Sequence, residues 1–260
     1  MLILVYFILY KFKKVIFRNN DLFLLGKFSR TIQIKDKVFS RYEKINYLFE
    51  LISWTGIYET RAYLKILLNK KYSYFLDIGC NIGRISYFFL FHENGRKAIM
   101  FDANPEVILA VSAFLKNNNL HGKAKAINKG ISNKTGILDF FYNQNFDLEG
   151  TFDENIAQQK KLKNSMKIEV DTIDNLIEKK VFDPNKVDLV KIDVEGLELQ
   201  VLEGMRDFLT HNEHIDLLIE TWSKEKMERI KDFFINMNFS VEYKKLSSKD
   251  YFFSLKYKKM

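Results

Sequence analysis

The stretch from Tyr74 to Gly83, YFLDIGCNIG, constrains this chain more than any other. It begins as a short apolar run and then meets a turn punctuated by Gly79 and Gly83. Such a run suits a strand buried on both faces, as parallel sheets require. The two glycines permit a tight turn and close approach of backbone to a ligand. Residues 82–91 are nearly all apolar and long enough for a buried helix. Strand, glycine turn and helix make the opening unit of a nucleotide-type fold, with the ligand at the helix N-terminus.

The turn departs from the dinucleotide fingerprint, because its middle position is Asn81 rather than glycine. It also places a carboxylate, Asp77, two residues before the first glycine. A pyrophosphate has little use for a carboxylate there, whereas a cationic ligand with an amino group does. Asp-x-Gly-x-Asn-x-Gly therefore favours S-adenosylmethionine over a nicotinamide cofactor. The bland alternative is a turn that merely joins strand to helix. Support comes from a second apolar run, Ala98 to Phe101, which ends at Asp102. An acidic residue about 20 positions past the glycine turn is where such folds bind ribose hydroxyls. Asn104, Pro105 and Glu106 then read as helix cap, first helical residue and favourable first-turn charge.

At 260 residues the chain can bury a large core, and one α/β domain with an N-terminal extension fits. The expected boundary lies near residue 70, with 1–70 as extension and cap and 71–260 as the ligand-binding domain. Hydrophobic residues at 47% exclude general disorder. The single cysteine, Cys80, has no disulfide partner within the chain, which fits a reducing, cytoplasmic compartment. The net charge of +8 raises nucleic acid or anionic membrane as partners. Much of the excess sits near the ends, however, at Lys11, Lys13, Lys14 and Arg18 and again at Lys244, Lys245, Lys256, Lys258 and Lys259. A solvated basic surface accounts for that better than a nucleic-acid groove.

Met1 to Tyr10 is almost wholly apolar but far short of the roughly 20 residues a spanning helix needs. Peripheral membrane contact through Met1 to Lys14, as an interfacial helix anchored by its lysines, ranks below packing on the domain. Leu22 to Ser40 has strand-like patches, and Tyr42 to Trp54 and Glu59 to Asn69 read as helices of a cap. Ala124 to Ile131 reads as a third strand, with Ile137 to Tyr142 as its hairpin partner. Gln144 to Lys163 reads as an irregular polar loop, and a strand resumes over Ile168 to Val170. Thr172 with Asp174 starts a short helix. Val187 to Val194 is a buried strand ending at Asp193, followed by Glu195, Gly196 and one helix carrying Val201, Leu202, Met205, Phe208 and Leu209 inward. Ile215 to Ile219 is a strand ending at Glu220, and Ser223 caps a further helix. Phe239 to Tyr243 and Tyr251 to Tyr257 close the chain as an antiparallel pair. That is the plan of a doubly wound, Rossmann-like α/β sheet with a reversed last strand, as in class I methyltransferases.

In such sheets ligands lie beyond the carboxyl ends of the strands, so Asp77, Asp102, Asp193 and Glu220 are expected to converge. With Asp77 and Asp102 given to the cofactor, Asp193 and Glu195 remain as acid–base candidates and Glu220 as an acceptor contact. Methyl transfer to a hydroxyl requires alignment of the nucleophile and removal of its proton. A carboxylate can do this directly, or through a divalent cation, for which no clear three-ligand spacing is present. The structural alternative makes Glu195 a helix-start charge and Asp193 its cap. Tyr58 is a candidate to stand over a bound ligand, with a packed aromatic as the more ordinary expectation.

Five motifs in order, FLDIGCNIG, FDANPE, INKGISNKTG, VDTIDNL and KIDVEGLELQVLEGM, resemble the FkbM-type methyltransferases over roughly Tyr58 to Glu220. The resemblance implies S-adenosylmethionine binding and, commonly, O-methylation of sugars or other small hydroxyl compounds. By that likeness Asp77, Gly79, Asn81 and Gly83 hold the methionine end, Asp102 the ribose, and Asn104 the adenosine neighbourhood. Ser132 and Asn133 match an adenine-side loop, with Asn133 where an acidic residue is frequent. Lys191, Asp193, Glu195 and Glu198 match a charged signature, with Asp193 closest to the transferred methyl. Two other readings compete: a nucleic-acid methyltransferase and a cofactor-binding module without catalysis. Base-nitrogen methylation usually places an Asn/Asp-Pro-Pro-aromatic motif after the fourth strand, where this chain reads IDVEG. Ribose methylation stays open.

Overall fold

Strand β1 (Tyr74–Ile78) is buried from Phe75 onward and forms the axis of a seven-stranded sheet. The structure, a computed structural model, describes residues 63, 66–69, 71–143 and 150–258. The expectations for Met1 to Tyr10, Leu22 to Ser40, Tyr42 to Trp54 and Tyr58 lie outside them. On one side β1 pairs in parallel with β2 (Lys97–Asp102), which pairs with β3 (Ala124–Asn128). On the other it pairs with β8 (Leu189–Ile192), which pairs with β9 (His214–Glu220). The chain thus turns both ways from β1, which makes its carboxyl end the switch point where a crevice opens.

The last two strands are β10 (Phe239–Lys245) and β11 (Asp250–Tyr257). β11 runs antiparallel to both β9 and β10 and lies between them, so the order is β10-β11-β9-β8-β1-β2-β3. The reversed last strand therefore sits inside the sheet.

Helix α1 (Arg84–His92) follows the glycine turn, and α2 (Pro105–Asn117) follows β2. Both pack on one face, where Phe75 meets Phe89 at 5.3 Å and Tyr87 stacks on Phe114 at 3.9 Å between ring centres. On the other face lie α4 (Ile173–Glu178), α5 (Glu198–Glu203), α6 (Arg206–His211) and α7 (Lys224–Asn236). Their Leu176, Val201, Leu202, Phe208, Ile230 and Phe234 close over Leu76, Ile78, Val190, Ile192, Leu217 and Ile219 in one core. Asn104 caps α2, accepting from Glu106 N at 3.0 Å, and Ser223 caps α7.

Four local expectations are corrected. The run 124–131 is broken at Lys129 into β3 and β4 (Gly130–Ile131), which belong to different sheets. β5 (Gly136–Tyr142) does not return along β3; it pairs antiparallel with β7 (Asn164–Asp171), in a four-stranded sheet ordered β4-β7-β5-β6. The polar stretch to Lys163 contains β6 (Gly150–Thr151) and α3 (Glu154–Gln159), the helix capped by Asp153. Finally, the single helix expected after Gly196 is two, α5 and α6. At the break, a Cβ on Gly204 would stand 2.0 Å from the Ser132 carbonyl oxygen, so close contact with the second sheet occupies the place of a side chain.

Candidate functional site

A cleft of about 80 Å³, open to solvent, lies where the tips of β1, β2 and β8 meet the second sheet. Gly79, Asn81, Asp102, Asn104, Asp193 and Glu195 all line it, together with an apolar wall that includes Phe101, Phe140 and Phe152.

The glycine turn is shaped by close approach. Gly79 has φ of +75°, and a Cβ there would fall 1.7 Å from the Asp193 carbonyl oxygen. Its amide and that of Cys80 both donate to the Phe101 carbonyl at 2.9 Å, which ties the turn to β2. Asn81 is also left-handed, at φ of 49°, a conformation asparagine tolerates. The Asp102 carboxylate accepts from Asn81 N at 2.8 Å and Asn104 N at 2.9 Å. Burial pushes its pKa up to about 6, against the pull of those two amides.

Asp77 lies beneath the turn. It is fully buried, is absent from the cleft lining, and accepts from Ser86 Oγ at 2.6 Å. Its other oxygen, Oδ1, has no hydrogen-bond partner among the described residues and stands 3.6 Å from Lys191 Nζ. Burial pushes the Asp77 carboxyl up, while Lys191 and Ser86 pull the other way. Lys191 is the hub below the cleft. Its ammonium donates to the Gly79 carbonyl at 3.0 Å and pairs with Asp193 at 3.0 Å. Burial works against that charge, but Asp193 and Asp77 outweigh it and hold Lys191 above the ordinary lysine pKa.

Gly83 stands at the N-terminus of α1, outside the lining, with Met100 and Tyr87 against it. Ser132 is buried, and the Asn133 amide donates to Glu203 at 2.8 Å; neither lines this cleft. Neither Asp193 nor Glu195 caps a helix, since α5 starts at Glu198, whose side chain accepts from Gly196 N at 2.8 Å. Glu195 is instead held in the left-handed region at φ of 53°, an uncommon state for this residue.

Glu220 does not line the cleft, and sequence reasoning missed a cluster, also outside the lining, that joins it to Glu195. Trp222, 37% exposed, follows the tip of β9 by two residues. Lys160 places its ammonium 4.5 Å from the Trp222 ring centre and 3.0 Å from the Glu195 carboxylate. Lys249 stands 5.3 Å from the same ring and 3.5 Å from Glu220. The strand-tip rule that selects Glu220 reaches Trp222 too if carried two residues further. Lys160 has no such signal, because it arrives from α3.

Among the described residues no helix is long and apolar enough to cross a membrane, and no three His, Cys, Asp or Glu side chains are grouped to hold a metal ion.

The parallel sheet with one reversed strand, the glycine turn and the carboxylate closing β2 define a class I, S-adenosylmethionine-dependent methyltransferase. Residues 77–241 match the model of the methyltransferase FkbM domain, and the chain belongs to that family. No curated protein matches the sequence. Among solved structures, the METTL16 methyltransferase domain is similar at a TM-score of 0.50 and 11% identity, covering 92% of each chain. A putative caffeoyl-CoA O-methyltransferase from Staphylococcus aureus gives 0.47 and 11%, over 92% of this chain and 100% of that one. The precorrin-6y C5,15-methyltransferase from Geobacter metallireducens GS-15 gives 0.46 and 13%, over 88% and 98%. Identities this low speak to the fold alone.

The cleft fits the cofactor. Gly79 lets the turn pack against the Asp193 carbonyl, which brings the tips of β1 and β8 together at the cleft, Asp102 offers acceptors for ribose hydroxyls, and the apolar wall suits a base.

Proposed function

We propose that this methyltransferase acts on a hydroxyl of a sugar, glycan or other small polar acceptor. The observation that carries the reading is Trp222 beside a row of carboxylates. A sugar has one face of C–H groups and a rim of hydroxyls. An exposed indole takes the face, and Asp193, Glu195 and Glu220 are acceptors for the rim. Lys160 and Lys249 link Glu195 and Glu220 to the ring, fixing the platform relative to the cleft.

In this reading Gly79, Asn81 and Gly83 shape the methionine end of the cofactor pocket, with Asp77 and Lys191 fixing the turn from below. Asp102 holds the ribose, Asn104 shapes the neighbouring wall, and Ser132 and Asn133 support the loop beside it. The bound cofactor supplies an electrophilic methyl carbon on a sulfonium centre. Asp193 and Glu195 hold the acceptor hydroxyl in line, which is where positioning gains most in a displacement. Tyr58 is proposed as an acceptor contact on the sequence alone, and the buried free thiol of Cys80 supports a reducing compartment.

The nucleic-acid alternative lacks comparable support. Among the described residues, Lys160 and Lys249 are paired with the carboxylates of Glu195 and Glu220, and Lys129, which lines the cleft, with Glu169, so these cations form no unneutralised basic stripe. The test is incubation with methyl-labelled S-adenosylmethionine and separated fractions of glycans, small metabolites and RNA. Label in an alkali-stable ether of the carbohydrate or metabolite fraction is expected; label confined to RNA overturns the reading.

A further inference from the structure

Three carboxylates stand in a row across adjacent strand tips: Asp193 after β8, Glu220 ending β9, and Asp250 opening β11. The register sets this order. Ile192 lies beside Ile219, so Asp193 and Glu220 are neighbours, and Glu220 faces Asp250 across the antiparallel ladder.

The outer two are engaged. Asp193 is paired with the buried Lys191 at 3.0 Å. Asp250 accepts from the hydroxyls of Tyr63 and Ser247. Glu220 differs from both. Among the described residues it accepts no hydrogen bond, and its ionic partner is the half-exposed Lys249 at 3.5 Å. A general base must have a free lone pair and lose little by gaining a proton. In this row Glu220 meets both conditions.

We propose that Glu220 takes the proton from the acceptor hydroxyl, while Asp193, paired with Lys191, positions that hydroxyl. The inference rests on the methyl-transfer reading and names the proton's destination within it. As the acceptor oxygen bonds to the methyl carbon, the carbon–sulfur pair departs with the sulfur. The O–H bond breaks, its electrons stay on oxygen, and the proton passes to Glu220 and then to solvent.

The electrostatics agree with the geometry. Asp193 and Lys191 face Glu220 from β8, Glu195 from the turn after it, Asp250 and Lys249 from the neighbouring hairpin, and Tyr63 from its far side. Burial, then the charges of Asp193 and Asp250, push Glu220 up to about 8, with Lys249 opposing. A base works best with a pKa near the operating pH. Because the ionised form is the active one, turnover is expected to rise with pH through about 8 and level off above it.

The test has two arms, both on the full chain. In the first, the protein carries glutamate labelled with ¹³C at the side-chain carboxyl and is saturated with S-adenosylhomocysteine. One resonance is expected to titrate near pH 8 and to vanish in Glu220→Gln. If every glutamate titrates near the ordinary value of about 4.3, the proposal is overturned. The second arm measures methyl transfer from labelled S-adenosylmethionine into the fraction that accepts label. Glu220→Gln should keep S-adenosylhomocysteine affinity and thermal midpoint while kcat falls about 10²–10⁴-fold and the alkaline rise in rate disappears. Asp193→Asn should act chiefly on the acceptor's KM and keep a rise in rate with pH, moved to lower pH because one of the charges that raise Glu220 is gone. A Glu220→Gln protein with wild-type kcat overturns the proposal. If no fraction accepts label although S-adenosylhomocysteine binds, the acceptor class is wrong, and the resonance arm still decides Glu220.

Discussion

Asp102 shows how one side chain can tie the cofactor pocket to pH. Its two oxygens hold the glycine turn and the start of α2 together through the Asn81 and Asn104 amides. Burial leaves it with a pKa of about 6. Ribose hydroxyls donate to the ionised carboxylate, so the bound form has the lower pKa and binding below pH 6 must release a proton. Affinity for S-adenosylhomocysteine is therefore expected to be flat above about pH 7 and to weaken roughly tenfold for each unit below 6. Calorimetric titration from pH 5 to 8 reads this directly; in Asp102→Asn the affinity is low and the slope is gone. Asp102 and Asp193 were legible in the sequence because each closes an apolar run, and a parallel sheet sends such residues to one edge. The depth of Asp77 was not legible. Spacing places it at the turn, but the packing of Ser86 and Lys191 around it decides that it supports the turn from beneath.

At the scale of elements, the chain supplies caps that no local motif announces. Helix α6 has no side-chain cap of its own at Met205. Asp174, in the first turn of α4, accepts from the amides of Asp207 at 3.1 Å and Phe208 at 2.9 Å, so one helix caps another. Losing such a cap typically costs about 1 kcal/mol, up to roughly 2. Asp174→Ala is accordingly expected to lower stability by that amount in a denaturant titration, with cofactor affinity unchanged because α6 lies away from the cleft. The sequence shows Asp174 as a helix-start charge, and its second role depends on the break at Gly204, which apolar periodicity runs straight through. The same limit explains β5. Alternation over 136–142 marks a strand and its faces, but pairing is set by which edge is free. Once Lys129 turns the chain out of the main sheet, donating its amide to the Asp102 carbonyl at 3.0 Å, β7 becomes the partner.

For the whole molecule, the alternation of strands and helices and the closing antiparallel pair predict the sheet, and β11 is the strand that completes it. It joins β9 to β10 along its full length and buries Tyr251, Phe253 and Leu255. Phe253 is fully buried and lies 5.6 Å from Phe234 of α7, so it also locks a helix onto the sheet. Its neighbour Asp250 fixes the carboxylate row through Tyr63 and Ser247. Emptying such a site usually costs about 3–5 kcal/mol, a large part of the roughly 5–15 kcal/mol that holds a domain together. Phe253→Ala is therefore expected to lower the unfolding free energy by about that much. Phe253 is no part of the cleft lining, so the fraction that remains folded should bind S-adenosylhomocysteine as the parent does. Chemical denaturation followed by circular dichroism, with calorimetry under native conditions, separates the two effects. A variant as stable as the parent would mean that β11 is dispensable to the core, which is incompatible with a strand buried between β9 and β10.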